Sequence, residues 1–131
     1  MLIKVEEKLA DEKSISITVY GDFNCPYCFA LNERLESMGL SAAVNWLLVE
    51  HAPDLYKHSF SDIDKQELIQ EVNDVHARAP NVELNLPVTR PNSRQASLLF
   101  ATVLRTYPAA AIKAYSYLPC SVAAGAGYFR S

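Results

Sequence analysis

The run Ser14-Ile15-Ser16-Ile17-Thr18-Val19-Tyr20-Gly21-Asp22-Phe23 leads into Cys25-Pro26-Tyr27-Cys28, and Phe29-Ala30-Leu31-Asn32-Glu33-Arg34-Leu35-Glu36-Ser37-Met38-Gly39 follows. The first segment alternates and ends largely apolar, as a strand does. The last is a helix-forming run closed by glycine, so the two cysteines lie on a strand-to-helix turn. A cysteine there faces unsatisfied backbone N–H groups and the positive end of the helix dipole, both of which favour thiolate over thiol. Thiolate is the form that attacks disulfides.

The surrounding pattern extends this turn into an α/β fold. Ile15, Ile17 and Val19 alternate before the apolar strand end, which predicts a strand buried largely on both faces. The helix after the turn places Cys28, Leu31, Leu35 and Met38 on an inward stripe and Asn32, Glu33, Glu36 and Ser37 outward, and Gly39 stops it. Ala42 to Val49 reads as a second buried strand. Following a crossover helix, it forms a parallel β-α-β unit with the first.

From residue 50 the character changes. His51-Ala52-Pro53 breaks the strand, and Ser61-Asp62-Ile63-Asp64 opens a polar helix carrying Leu68, Ile69, Val72, Val75 and His76, ended by Ala79-Pro80-Asn81. Residues 82–91, with Pro87 and Pro91, predict an extended loop. Asn92 reads as an N-cap with Gln95 three residues on, opening an apolar helix through Ala96, Leu99, Phe100, Val103 and Leu104 to about Thr106. Pro108 separates it from a short helix, Ala109 to Leu118. Residues 119–131 are rich in small residues and show no periodicity, which predicts a loose tail.

Composition bounds the function classes. With 131 residues, half of them apolar and 21% charged, the chain fits one soluble globular domain. A formal charge of −3 argues against nucleic acid as a partner, which needs a basic surface. The charge is uneven: residues 1–83 carry −8, while the remainder holds Arg90, Arg94, Arg105, Lys113 and Arg130 and no acid. That bias reads either as sampling along the chain or as a surface for anionic ligands. Met1 to Lys8 lacks the continuous apolar stretch of a secretory signal, and no segment approaches a membrane span. A cytoplasmic setting is expected, with a leader removed before this numbering as the alternative. In that reducing compartment a C-x-x-C pair is redox-active or metal-binding rather than a structural staple.

The expected chemistry divides between the two thiols. Cys25, at the helix terminus, is the nucleophile, and Cys28, one turn inward, is the resolving thiol that closes a Cys25–Cys28 disulfide. Pro26 suits the first helical turn, and Tyr27 offers a rim for a substrate chain. Asp22 is a candidate hydrogen-bond acceptor or proton shuttle, with a solvated strand-end carboxylate as the plain alternative. His51 is weighed as approaching the site edge against an ordinary loop histidine, and Trp46 as core. Zinc and a passive pair are the rival readings of the cysteines. For zinc the further ligands would have to come from Cys120, His51, His58 and His76, which show no ligand spacing. Cys120 reads as a bystander, and no cofactor is expected.

The stretch Val19-Tyr20-Gly21-Asp22-Phe23-Asn24-Cys25-Pro26-Tyr27-Cys28-Phe29, with Leu35-Glu36 and then Val44-Asn45-Trp46, resembles the DsbA-like thioredoxin superfamily, closest to its cytoplasmic, FrnE-like branch. Arg90-Pro91-Asn92-Ser93-Arg94-Gln95-Ala96 is similar to the segment opening a helix in that family's inserted helical subdomain. The resemblance implies a thiol–disulfide oxidoreductase acting on protein or small-molecule disulfides. It implies one incomplete domain: a β-α-β unit with the C-x-x-C in residues 1–50, a helical insertion in 51–118 and an irregular tail in 119–131. The family completes its fold with a cis-proline loop, two antiparallel strands and a last helix, and the chain reads as truncated before that half. Leu86-Pro87-Val88 is the one candidate for the loop. A chain so shortened is expected to expose a sheet edge that invites self-association or a partner chain; a minimal fold of its own is the alternative. The C-P-Y-C tetrapeptide is also similar to that of glutaredoxins, which raises glutathione-dependent chemistry with Arg90 and Arg94 as carboxylate partners. A non-catalytic fragment is the third reading.

Overall fold

The computed structural model describes residues 2–7, 15–54, 59–87 and 92–110. It is a mixed α/β arrangement: strand β1 (Leu2–Glu7), strand β2 (Ile15–Gly21), helix α1 (Pro26–Ser37), a single 3-10 turn (Ser41–Ala43), strand β3 (Val44–Leu48), helix α2 (Asp62–Arg78) and helix α3 (Arg94–Thr106). The three strands form one sheet in the order β1-β2-β3. β2 and β3 are parallel, with Ile17 opposite Val44 and Gly21 opposite Leu48, so the β-α-β unit expected from the sequence is present. β1 was not anticipated. It runs antiparallel to β2, Leu2 opposite Tyr20 and Glu7 opposite Ile15, and makes the cysteine-bearing strand the central one. The outer edge of β3 has no strand partner among the described residues.

Two apolar clusters hold the helices in place. The first joins Val19, Phe23, Val44 and Trp46 of the sheet region to Leu35 of α1 and to Ala96 and Phe100 of α3. Phe23 and Phe100 meet edge to face, 6.0 Å between ring centroids. The second cluster lies between α1 and α2: Phe29 and Ala30 pack with Leu68, Val72 and Val75, and with Ala79, Val82 and Leu84 of the following loop. α1 is therefore buried on two flanks, against the sheet and against α2. This corrects the single stripe read from its periodicity: Asn32, expected outside, is buried, while Met38 is exposed because it already lies beyond the last turn.

Helix termini follow the sequence closely. At the end of α1 the Gly39 amide bonds to the Glu36 carbonyl and the Leu40 amide to that of Leu35, with Gly39 at φ +69°, the left-handed residue such a cap requires. α2 starts with a full capping box, in which the Ser61 hydroxyl accepts from the Asp64 amide and the Asp64 carboxylate accepts from the Ser61 amide. α3 begins one step later than Asn92 suggested, with Ser93 at the boundary, yet the Asn92 side-chain oxygen still accepts from the Arg94 amide. Of the residues of this apolar helix, Leu99 is exposed; the inner face is Ala96 and Phe100, with Leu104 packed against the same cluster. β3 is likewise buried on one face only, with Val44 and Trp46 inward and Asn45 and Leu47 outward. Helical backbone resumes at residues 108–110; the rest of the short helix expected to Leu118, the tail and Cys120 lie outside the described residues, as do His58 and Arg90.

Candidate functional site

All elements of the β-α-β unit converge on the turn after β2. Cys25 is the N-cap of α1, with extended backbone (φ −100°, ψ 117°), and Pro26 occupies the first helical position, where its missing N–H removes no bond. The Cys25 amide donates to the Asp22 carbonyl, and the Phe29 amide to the Cys25 carbonyl, which closes the tight turn into the first turn of the helix. Cys28 lies one turn on and is buried, whereas Cys25 is part-exposed; both are reduced thiols.

The two sulfurs are unlike in acidity. The Cys28 thiol hydrogen-bonds the Cys25 sulfur, and this is the largest influence holding Cys25 down to about 6 against the opposing cost of burial. The backbone amides of Cys28 and Tyr27 and the charge of His51 act in the same direction, although no backbone amide closes a cap hydrogen bond with the sulfur. Cys28 is pushed far up, because its proton is held by the Cys25 sulfur and because burial and the neighbouring thiolate both disfavour its anion. One proton is thus shared within a pair that titrates as a unit.

Close packing beneath the pair depends on Gly21, the last residue of β2. A β-carbon there would lie 2.8 Å from Trp46 Cζ3 and 3.3 Å from Cys28 Sγ. Glycine lets the resolving sulfur rest against the strand and the indole. Trp46 itself is core, as expected.

Asp22 is the largest departure from the plain reading. It is not a solvated strand-end carboxylate but 2% exposed. Its Oδ2 accepts from the His51 backbone amide at 3.0 Å and faces His51 Nδ1 at 2.9 Å, while Oδ1 accepts from the Asn24 amide at 3.3 Å. Burial by itself would raise its pKa. Hydrogen bonds from the His51 ring, Ser93 and the His51 and Asn24 amides outweigh that and hold Asp22 below the ordinary carboxylate value. Because a carboxylate only accepts, His51 Nδ1 is the protonated nitrogen of this contact, and Nε2 is turned away from Asp22. His51 therefore does reach the site edge, its side chain 43% exposed.

The other expected site residues are placed as follows. Tyr27 is half-buried beside the second cluster, and its hydroxyl donates to Asp74 Oδ2 at 3.0 Å, so the phenol is tied to α2. Arg94 is engaged by Glu50 through two bonds, Nε to Oε1 at 2.8 Å and a terminal nitrogen to Oε2 at 3.0 Å. Pro87 is buried, and among the described residues no peptide bond is cis. No group of three or more His, Cys, Asp or Glu side chains suited to a metal ion occurs among the described residues. No described helix is long and apolar enough to cross a membrane. Gly21 and Ser93 were not singled out from sequence; a glycine at the end of a strand that enters a C-x-x-C turn was the available signal for the first.

No protein-family model, curated protein or solved structure matches this chain.

Proposed function

We propose that the chain exchanges thiols and disulfides through Cys25 and Cys28, in the manner of the DsbA-like thioredoxin proteins its sequence resembles. The observation that carries this reading is the division of labour within one helical turn: a part-exposed N-cap thiol with a low pKa, hydrogen-bonded to a buried thiol with a high one. At neutral pH Cys25 is thiolate and Cys28 keeps its proton. The Cys25 thiolate attacks one sulfur of a substrate disulfide, the sulfur–sulfur bond breaks, and the departing half leaves as a thiolate that takes a proton from water. Cys28 then loses its proton to water and attacks Cys25, releasing the second half. The substrate disulfide is reduced by two electrons, and the dithiol is oxidised to a Cys25–Cys28 disulfide. The reverse sequence oxidises a substrate dithiol.

Protein and small-molecule disulfides both suit this chemistry, and a cytoplasmic location suits a pair kept reduced. Glutathione is the less favoured partner, since Arg94 is already bound by Glu50 and Cys28 stands ready to resolve any mixed disulfide. Reduction of insulin disulfides in the presence of dithiothreitol tests the reading. The native chain accelerates precipitation of the insulin B chain, and Cys25→Ser abolishes the acceleration. A Cys25→Ser variant as active as the native chain contradicts it.

A further inference from the structure

The C-P-Y-C turn contains no basic side chain, and α1 carries no cation before Arg34. A positive charge near Cys25 therefore has to come from another element, and the loop after β3 delivers one. His51 is brought to β2 from 29 residues away in sequence and fixed there by two contacts to a single oxygen of the buried Asp22. Backbone and ring are both held, so the imidazole has one orientation. Asp22 itself is braced by the Asn24 amide from the turn. One exposed imidazole is thus held against Asp22, whose backbone carbonyl also accepts from the Cys25 amide.

We infer that His51 is a positioning residue of the redox site: oriented by Asp22, its imidazolium gives the Cys25 thiolate the counter-charge that the C-x-x-C turn lacks. This rests on the exchange reading above. Among the described residues, the other charged groups of the loop after β3 and the start of α3 are Glu50, Arg94 and Asp54. Glu50 and Arg94 neutralise each other, Asp22 is the carboxylate that holds the ring, and Asp54 lies three residues further along the same loop. On β2 and the turn the titratable groups are Tyr20, Asp22, Cys25, Tyr27 and Cys28. An imidazole changes charge between about pH 5 and 8, the interval in which Cys25 ionises, so the two protons are coupled. Cys25 then keeps thiolate character wherever the imidazole carries its second proton.

The test is the pH profile of Cys25 alkylation by iodoacetamide, read by peptide mass spectrometry on the full chain and on His51→Gln and His51→Lys. The ring is exposed, and circular dichroism checks that both variants fold. His51→Gln moves the Cys25 midpoint up by about half a unit to one unit, which slows alkylation at pH 6 by about two- to five-fold. His51→Lys, which keeps a cation, restores the low midpoint. A His51→Gln profile superimposed on the native one overturns the inference while leaving the exchange reading intact. So does a His51→Lys profile that follows His51→Gln, since that shows a structural role rather than one of charge. A native midpoint equal to that of free cysteine refutes the exchange reading and the role of His51 together.

Discussion

Gly21→Ala should both destabilise the chain and detune its dithiol. Gly21 is buried at the end of β2, and an added β-carbon meets Trp46 Cζ3 at 2.8 Å, Trp46 Cε3 at 3.3 Å and Cys28 Sγ at 3.3 Å. The first distance is shorter than carbon atoms tolerate, and the atom it meets belongs to a rigid indole locked among Val19, Val44 and Phe100. Overpacking of this kind costs about 1–3 kcal/mol. Against it stands a gain of about 0.4–1 kcal/mol from the stiffer unfolded chain, available because Gly21 does not have a positive φ. The net loss is about 0–2.6 kcal/mol, with a middle value of about 1.3, a fall in Tm of up to roughly 10 °C for a chain of this size. Relief comes by moving the indole or by lifting Cys28 off the strand. The second route weakens the Cys28–Cys25 hydrogen bond, the chief cause of the low Cys25 value.

Gly39→Ala is the control. Its residue sits at φ +69° with nothing within 4 Å of an added β-carbon, so alanine there meets backbone strain of about 1–2 kcal/mol and no contact with the site. Differential scanning fluorimetry and Cys25 alkylation on both variants separate the effects. Both lower Tm, and only Gly21→Ala raises the alkylation midpoint. Gly21→Ala with an unchanged Tm and an unchanged midpoint refutes the claim of close packing beneath Cys28.

Three further outcomes follow from the same contacts. Asp22→Asn replaces a buried anion that several donors address, and should cost about 1–3 kcal/mol at pH 7. Since the folded pKa of Asp22 lies below its unfolded value, that stability is present above about pH 4 and is lost as the pH falls through the folded value, so urea midpoints of native and variant converge in acid. Cys25 has the same sign at higher pH: its folded value of about 6 lies below the ordinary 9.0, so the reduced chain gains stability over Cys25→Ser as the pH rises from 6 towards 9. Thermal melts under reducing conditions should show that gap widening, and a gap that narrows contradicts the assignment. Ser61→Ala removes the acceptor for the Asp64 amide and should cost about 1 kcal/mol by chemical denaturation, with no change in Cys25 alkylation.

What could be read in advance was local. The strand, the C-x-x-C turn, the helix stop at Gly39 and the helix start at Ser61 are all encoded within a few consecutive residues and lie where expected, whereas the cap read at Asn92 and Gln95 falls to Ser93, without a side-chain bond. What escaped depends on contacts between distant segments. β1 has only six residues, and its role is set by pairing with β2, which leaves no local trace. The second buried flank of α1 exists because α2 packs on it, so Asn32 reads as outward in its own helix and is buried in the fold. Leu99 and Leu47 lie on faces of α3 and β3 that local apolar periodicity could not distinguish from the inner ones. The site divides the same way. Cys25 and Cys28 were legible as a pair, whereas the contacts that keep the buried Asp22 ionised come chiefly from His51, supplied by another segment.

The most direct test of the central claim is mass-resolved alkylation of Cys25 and Cys28 in the same reduced native sample across pH 4 to 10. Two thiols sharing one proton at a helix N-terminus predict that Cys25 reaches half its maximal rate near pH 6 while Cys28 stays protected beyond the range of an ordinary cysteine. Two superimposed curves centred near the free-thiol value of about 8.5 contradict it.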